Sequence, residues 1–378
     1  MPAVRYQASR IKMFKIALLF SFFALLANSS LASSILFDAE ERRAQLQLKS
    51  YKEAKEYCLA KNVKWNGKLP SPISGLKTTE GYGSDNRPAK FTWYVMVLTG
   101  RSLAGDAKAT NDLKEGLLVW ARAGAFLESD GAHDTYYALK RYMLPIVIGF
   151  SAIDDKFNSN ERKEVIKWID KIVPKLDKKF DGDVDHNNHR YLADSVLMAW
   201  GAYKKDERLI NIGRQGFLKA LSDARADGSL PLETRRGARA VWYMRHALSS
   251  LVTIAEIDHQ LGGKLYNITH EGNSLASLMN YFITASYAPI VVLPHAAQNY
   301  IPGPHKDYLQ QDMDYMRRRG HDRHYMAFAE AYVLRETVSA KRLDILMKLE
   351  TQWKQRPYID EYVGGNASCF YWKPRGNQ

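Results

Sequence analysis

Asn187-Asn188-His189-Arg190-Tyr191 puts an amide, an imidazole, a guanidinium and a phenol in one short stretch, and Arg236 and Tyr243 add a second guanidinium and phenol. No carboxylate pair stands out beside them. This set suits removal of a proton alpha to a carboxylate, followed by expulsion of the oxygen on the beta carbon. The amide and the guanidinium neutralise the carboxylate, while the imidazole and the phenol move protons. A proton beside an ionised carboxylate is barely acidic, because the developing carbanion sits next to an existing negative charge. Donors such as Asn188 and Arg236 would stabilise the enolate-like transition state. A tyrosine with the ordinary pKa of about 10 is a poor base at neutral pH, and cations such as Arg236 and Arg239 would lower that value. Arg236 and Tyr243 are seven residues apart, a spacing that predicts two turns on one face of a helix also carrying Arg239. The expected reaction is eliminative cleavage of an acidic polysaccharide.

Two rival chemistries are weaker on the residues. Asp183, Asp185, His186 and His189 lie close together, but there is no His-Glu-x-x-His motif and no cysteine ligand nearby. Aspartates before a helix are more often caps or first-turn charges, so neither a metal nor any other cofactor is expected. A two-carboxylate hydrolase has Asp183, Asp185, Asp194 and Glu233 to draw on, none marked by its surroundings, and a Gly-x-Ser-x-Gly elbow is absent. Taken singly, each lyase residue also has an ordinary reading: Tyr243 as a core aromatic, His189 as a capped helix start, Arg236 as a solvated charge.

The elements that must position these groups read as helices. Only Pro145 and Pro174 interrupt the stretch from Ala89 to Leu230. Apolar residues recur at helical spacing: Val165, Ile166, Ile169, Ile172, Val173 and Leu176 behind an Asn158/Glu161 cap; Leu192, Val196, Ala199, Trp200 and Tyr203; Ala240, Tyr243, Ala247, Leu251 and Ile254. The pattern predicts roughly ten to twelve helices, with short Asp-Gly punctuation at Asp130, Asp181 and Asp227 and no long alternating strand. No Pro/Gly/Ser linker divides the chain, so stacked helical hairpins form one domain, a bundle or a closed ring. The polar, glycine-containing segment from Lys77 to Lys90 reads either as a lid carrying Tyr82 and Arg87 over a cleft or as an ordinary surface loop.

Residues 1–32 read as an export signal: Arg5, Arg10, Lys12 and Lys15 precede the apolar run Ile16 to Ala27, and Ser30-Leu31-Ala32 supplies small residues for cleavage. The domain then runs from 33 to 378, and Met13 is an alternative start. No later stretch is apolar and long enough to cross a bilayer. Removing four basic and no acidic residues lowers the formal net charge from +13 to +9. A basic exported protein fits an acidic polymer; no basic run interleaved with aromatics marks nucleic-acid binding. The chain has two cysteines, Cys58 and Cys369, which in an oxidising compartment are expected to pair. Closing so long a loop contributes about 4 kcal/mol in the chain-entropy model. Oligomeric state has no signature in these patterns.

Asn187-Asn188-His189, then Leu230-Pro231-Leu232-Glu233-Thr234-Arg235-Arg236, then Arg239-Ala240-Val241-Trp242-Tyr243 together resemble the alginate lyases of polysaccharide lyase family five. Gly83-Ser84-Asp85, Gln311-Asp312-Met313 and Gly364-Gly365 resemble further segments of that family. The resemblance implies an all-α, incomplete α/α toroid with a cleft, and a periplasmic or secreted poly(mannuronate) lyase. It implies that Asn188, His189, Arg236 and Tyr243 are catalytic; Tyr82 and Arg87, from the glycine-containing loop and its partial match, and Arg239 are expected to hold substrate. The chain departs from the family pattern at Leu192, at His246 and at Tyr362-Val363, and Tyr82 is one position off. These departures touch sugar subsites, which keeps polyglucuronate or another polyuronate as an alternative substrate. A non-catalytic protein that binds acidic polysaccharide is the alternative from another class.

Overall fold

The computed structural model describes residues 35–77, 86–179, 186–298, 307–317, 323–335, 337–349 and 355–374. The signal segment, Tyr82, Asp183 and Asp185 lie outside them. In chain order the α-helices are α1 (Ala39–Gln45), α2 (Lys52–Leu59), α3 (Asn86–Leu103), α4 (Ala107–Arg122), α5 (His133–Ala152), α6 (Ser159–Ile172), α7 (Asn188–Lys204) and α8 (Glu207–Asp223). They continue as α9 (Pro231–Thr234), α10 (Ala240–Gln260), α11 (Leu275–Tyr287), α12 (Leu293–Ala296), α13 (Phe328–Val333), α14 (Val338–Leu349) and α15 (Ala367–Tyr371). Among the described residues the only sheet is the antiparallel pair β1 (Ile359–Asp360) and β2 (Gly365–Asn366).

Helix termini follow local chemistry. Asn158 and Glu161 form the expected capping box at the start of α6, and Asp106, Asn187 and Asp206 cap α4, α7 and α8. Burial separates two kinds of helix. Helix α6 buries one stripe, Val165, Trp168, Ile169 and Ile172. Helix α5 and the greater part of α10 are buried on every side, as a helix enclosed by others must be. Helices α3, α5, α7 and α10 pack one against the next as an inner layer, with α4, α6, α8 and α11 outside them. This is the expected all-α, incomplete α/α toroid.

The first and last parts of the described chain meet. Helix α15 packs on α2 and α13, and the turn between β1 and β2 lies across α5 and α10. Gly364 (φ +76°) and Gly365 (φ +146°) make that turn possible; a Cβ on Gly364 would also approach Ile148 to 2.7 Å. Arg42 Nε and Nη2 donate to the carbonyls of Cys369 (2.8 Å) and Trp372 (2.9 Å). Cys58 and Cys369 are joined in the expected disulfide. No single helix among the described residues is long and apolar enough to cross a membrane.

If the disulfide ties α2 to the last helix, the unreduced, denatured protein should expose no reactive thiol, and Cys58→Ser should lower unfolding free energy by about 2–4 kcal/mol. Two titratable thiols, or an unchanged melting temperature, would contradict this role.

Candidate active site

The candidate residues converge where the N-terminus of α7, the start of α10, the first half of α5 and the β1–β2 turn meet. Asn187 stays extended and its side-chain oxygen accepts from the His189 N–H at 2.8 Å, which starts α7 at Asn188. The first free N–H of the helix, that of Asn188, donates to Glu233 Oε1 at 2.6 Å, and the Asn188 side-chain Nδ2 donates to Glu233 Oε2 at 3.1 Å. Glu233 is thus a buried carboxyl group at a helix N-terminus, where the backbone dipoles favour its charged form. Asn188 keeps one side-chain N–H uncommitted, and its Oδ1 is buried with no hydrogen-bond partner.

Arg236 and Tyr243 do meet, though not on one helix. After α9 the backbone turns through Gly237 (φ +54°) and a 3₁₀ turn at Gly237–Arg239 before α10 begins. The proline-led short helix and the positive-φ glycine break the uniform periodicity that the seven-residue spacing assumed. Arg236 Nε donates to the Leu232 carbonyl at 3.0 Å, and the guanidinium carbon lies 4.1 Å from the centre of the Tyr243 ring. Gln311 pins this turn: it donates to the Gly237 carbonyl (3.0 Å) and accepts from the Val241 N–H (3.2 Å). The Asp312 N–H donates to the Ala238 carbonyl (2.7 Å). Arg239 pairs with Asp312 at 3.3 Å and lies over Trp242, not over Tyr243.

Helix α5 supplies groups that the sequence reading passed over. Tyr137 packs 4.5 Å from the His189 ring, and Lys140 Nζ donates to the His189 carbonyl at 2.7 Å. His133, Tyr137, Lys140 and Arg141 recur at intervals of three and four, one polar and aromatic face on a buried helix, and that pattern was the available signal. The β1–β2 turn brings in Tyr362, whose hydroxyl shares a hydrogen bond with that of Tyr137 (3.0 Å) and whose ring lies edge-on to His246 at 4.1 Å. His246 in turn lies 6.2 Å from Tyr243. His189, Tyr137, Tyr362, His246 and Tyr243 therefore form a collar of rings. Glu361 beneath it pairs with both Arg141 and Arg323.

Electrostatics hold both collar histidines neutral. Burial, then the positive charges of Lys140 and Arg236 and the neighbouring His133, keep His189 well below the ordinary histidine value. Burial, then Arg245, His189, Arg141 and Lys140, do the same to His246. Glu233 is pushed up by burial, against the opposing influence of Arg236 and the Asn188 hydrogen bonds.

Among the carboxylates a hydrolase would need, Asp194 pairs with Arg190 (2.8 Å) and faces α8, where a Cβ on Gly216 would collide with it. Glu233 is occupied by Asn188. No group of three or more His, Cys, Asp or Glu among the described residues is arranged to hold a metal ion. Arg87 is exposed in the first turn of α3.

Residues 130–290 match the alginate lyase family model. A polysaccharide lyase of Stenotrophomonas maltophilia is 28% identical over 202 residues, covering 52% of this chain and 60% of that one. An alginate lyase of Pseudomonas aeruginosa is 26% identical over 162 residues, covering 40% of this chain and 44% of that one. The chain thus aligns with about half the length of these curated relatives. In fold the likeness is nearly complete: alginate lyase A1-III from Sphingomonas species A1 superposes with a TM-score of 0.75 at 20% identity, covering 91% of this chain and 97% of that one. A histidine-to-alanine variant of A1-III complexed with a tetrasaccharide gives 0.76 at 20% identity, covering 93% and 98%. The resemblance to alginate lyases read from the motifs is borne out.

Because the His189 imidazole is neutral in the free protein, the acid limb of kcat/KM, which reports groups of the free enzyme, should fall well below pH 6.5. An acid limb centred at 6.5 and removed by His189→Gln would contradict this electrostatic assignment.

Proposed function

We propose that this protein is an exported lyase that cleaves an acidic polyuronate, polymannuronate by preference, by metal-free β-elimination. The observation that carries the reading is the Arg236 guanidinium on the face of the Tyr243 ring, within a collar where His189 is held neutral. The family match to an alginate lyase model adds support, as does the tetrasaccharide complex of A1-III, a protein of the same fold.

In the proposed reaction Asn188, through its free N–H, and Arg236 neutralise the uronate carboxylate, and His189 hydrogen-bonds to it. Tyr243 Oη, acting as the base beside Arg236, takes the C5 proton. The released electron pair forms the C4–C5 double bond, and the C4–O4 bond breaks. Tyr243 returns its proton to the departing O4, so one residue serves as base and acid. In mannuronate and glucuronate the C5 proton and O4 leave from the same face, which suits a single residue. Guluronate, inverted at C5, needs a second base, and His189 is placed for that role.

Polyglucuronate is the second reading. The collar wall carries His246 and Tyr362, and these two positions depart from the family pattern read from the sequence. Export rests on the N-terminal pattern and is consistent with the disulfide, which persists in oxidising compartments. The positive charge suits an acidic polymer, with neither nucleic acid nor membrane as partner.

Incubation with a panel of polyuronates should release products with the near-ultraviolet absorbance of an unsaturated uronate, most strongly from polymannuronate, and exhaustive chelation should leave the rate intact. Tyr243→Phe should lower kcat by about 100-fold or more, the scale of a lost proton-transfer group, with little change in binding. Near-full activity of that variant on every polyuronate would exclude the one-residue mechanism.

A further inference from the structure

Glu233 is fully buried, yet nothing in the proton-transfer chemistry uses it. Its two oxygens take the backbone and side-chain N–H groups of the same residue, Asn188, and Oε2 lies 3.8 Å from Arg236 Nε. Both carboxyl oxygens act as acceptors in this arrangement. The Asn188 amide must therefore turn its nitrogen toward Glu233, which fixes the direction of its other N–H and of its unpartnered Oδ1. An unconstrained asparagine amide has two nearly isosteric orientations, and only one presents the same donor to a substrate.

The short helix α9 makes this arrangement rigid. Pro231 begins it, Glu233 and Arg236 are three residues apart, and Arg236 is tied back to the Leu232 carbonyl. The amide on α7 and the guanidinium before α10 come from segments 48 residues apart in sequence, and Glu233 touches both. Burying a carboxylate is costly unless it is paired and hydrogen-bonded. Its partners here are the two groups assigned to the substrate's carboxylate.

We infer that Glu233 is a positioning residue for the reaction: it sets the orientation of the Asn188 amide and its register with Arg236, and contributes to turnover only through them. The inference rests on the lyase reading above. Glutamine at this position is close in shape, but its own amide presents a donor where Glu233 offers two acceptors. Either the Asn188 amide flips or one of the two hydrogen bonds is lost.

The test is a double-mutant cycle on polymannuronate, or on whichever polyuronate the wild type cleaves fastest. Glu233→Gln should lower kcat about 10- to 100-fold, with a smaller change in KM and a folded protein by circular dichroism. Asn188→Ala should lower kcat at least as far, and Asn188→Ala/Glu233→Gln should be no slower than Asn188→Ala alone, because the two act as a unit. Glu233→Asp, which keeps both acceptors, should recover part of the rate. Multiplying losses in the double variant, or full activity of Glu233→Gln, would overturn the inference. So would unfolding of both Glu233 variants, which would make the residue purely structural. A wild type inactive on every polyuronate would instead refute the lyase reading itself.

Discussion

The structure depends on holding several cations inside a wall of apolar helices. Lys140, Arg141 and Arg236 are buried, and a buried charge is tolerable only when paired and hydrogen-bonded. Glu361 takes Arg141 and Arg323, Asp312 takes Arg239, and Glu233 lies beside Arg236. Burial alone would raise Glu361, but Arg323 and Arg141 outweigh it and hold that carboxyl below the usual range. Lys140 donates to the His189 carbonyl. The positive potential left around the collar suits a polyanion, and burial, helped by the same potential, keeps His189 and His246 neutral.

The toroid explains how such distant residues meet. Inner helices α5, α7 and α10 each contribute one turn to the collar, and the chain's last segment returns to add Tyr362. That return requires the two positive-φ glycines at 364 and 365 and is secured by the Cys58–Cys369 bridge and the Arg42 hydrogen bonds. Gln311 and Asp312 serve the same end from another direction by pinning the turn that carries Arg236. Much of the molecule outside the collar thus acts by restricting backbone freedom at the site.

The helical architecture was legible because periodicity and capping are local: the Asn158/Glu161 box and the stripes along α6, α7 and α10 can be read from neighbouring residues. Asn188, His189, Arg236 and Tyr243 were legible as a chemical set, and the structure brings them together. The geometry between Arg236 and Tyr243 was misread as one helix, because a positive-φ glycine and a 3₁₀ turn leave little trace in apolar periodicity. Glu233 looked like any other glutamate, since its significance lies in a contact 45 residues away in sequence. Tyr137 and Lys140 sit among the apolar residues of α5, where the three- and four-residue spacing of polar groups was the only signal.

The central claim is that the chain breaks its substrate by elimination rather than hydrolysis. Digestion of polymannuronate in oxygen-18 water, with mass spectrometry of the oligosaccharide products, tests it most directly. Elimination predicts new non-reducing ends lighter than the saturated sugar by one water, with no oxygen-18 incorporated during cleavage. Saturated products carrying one solvent oxygen per broken linkage would contradict the account.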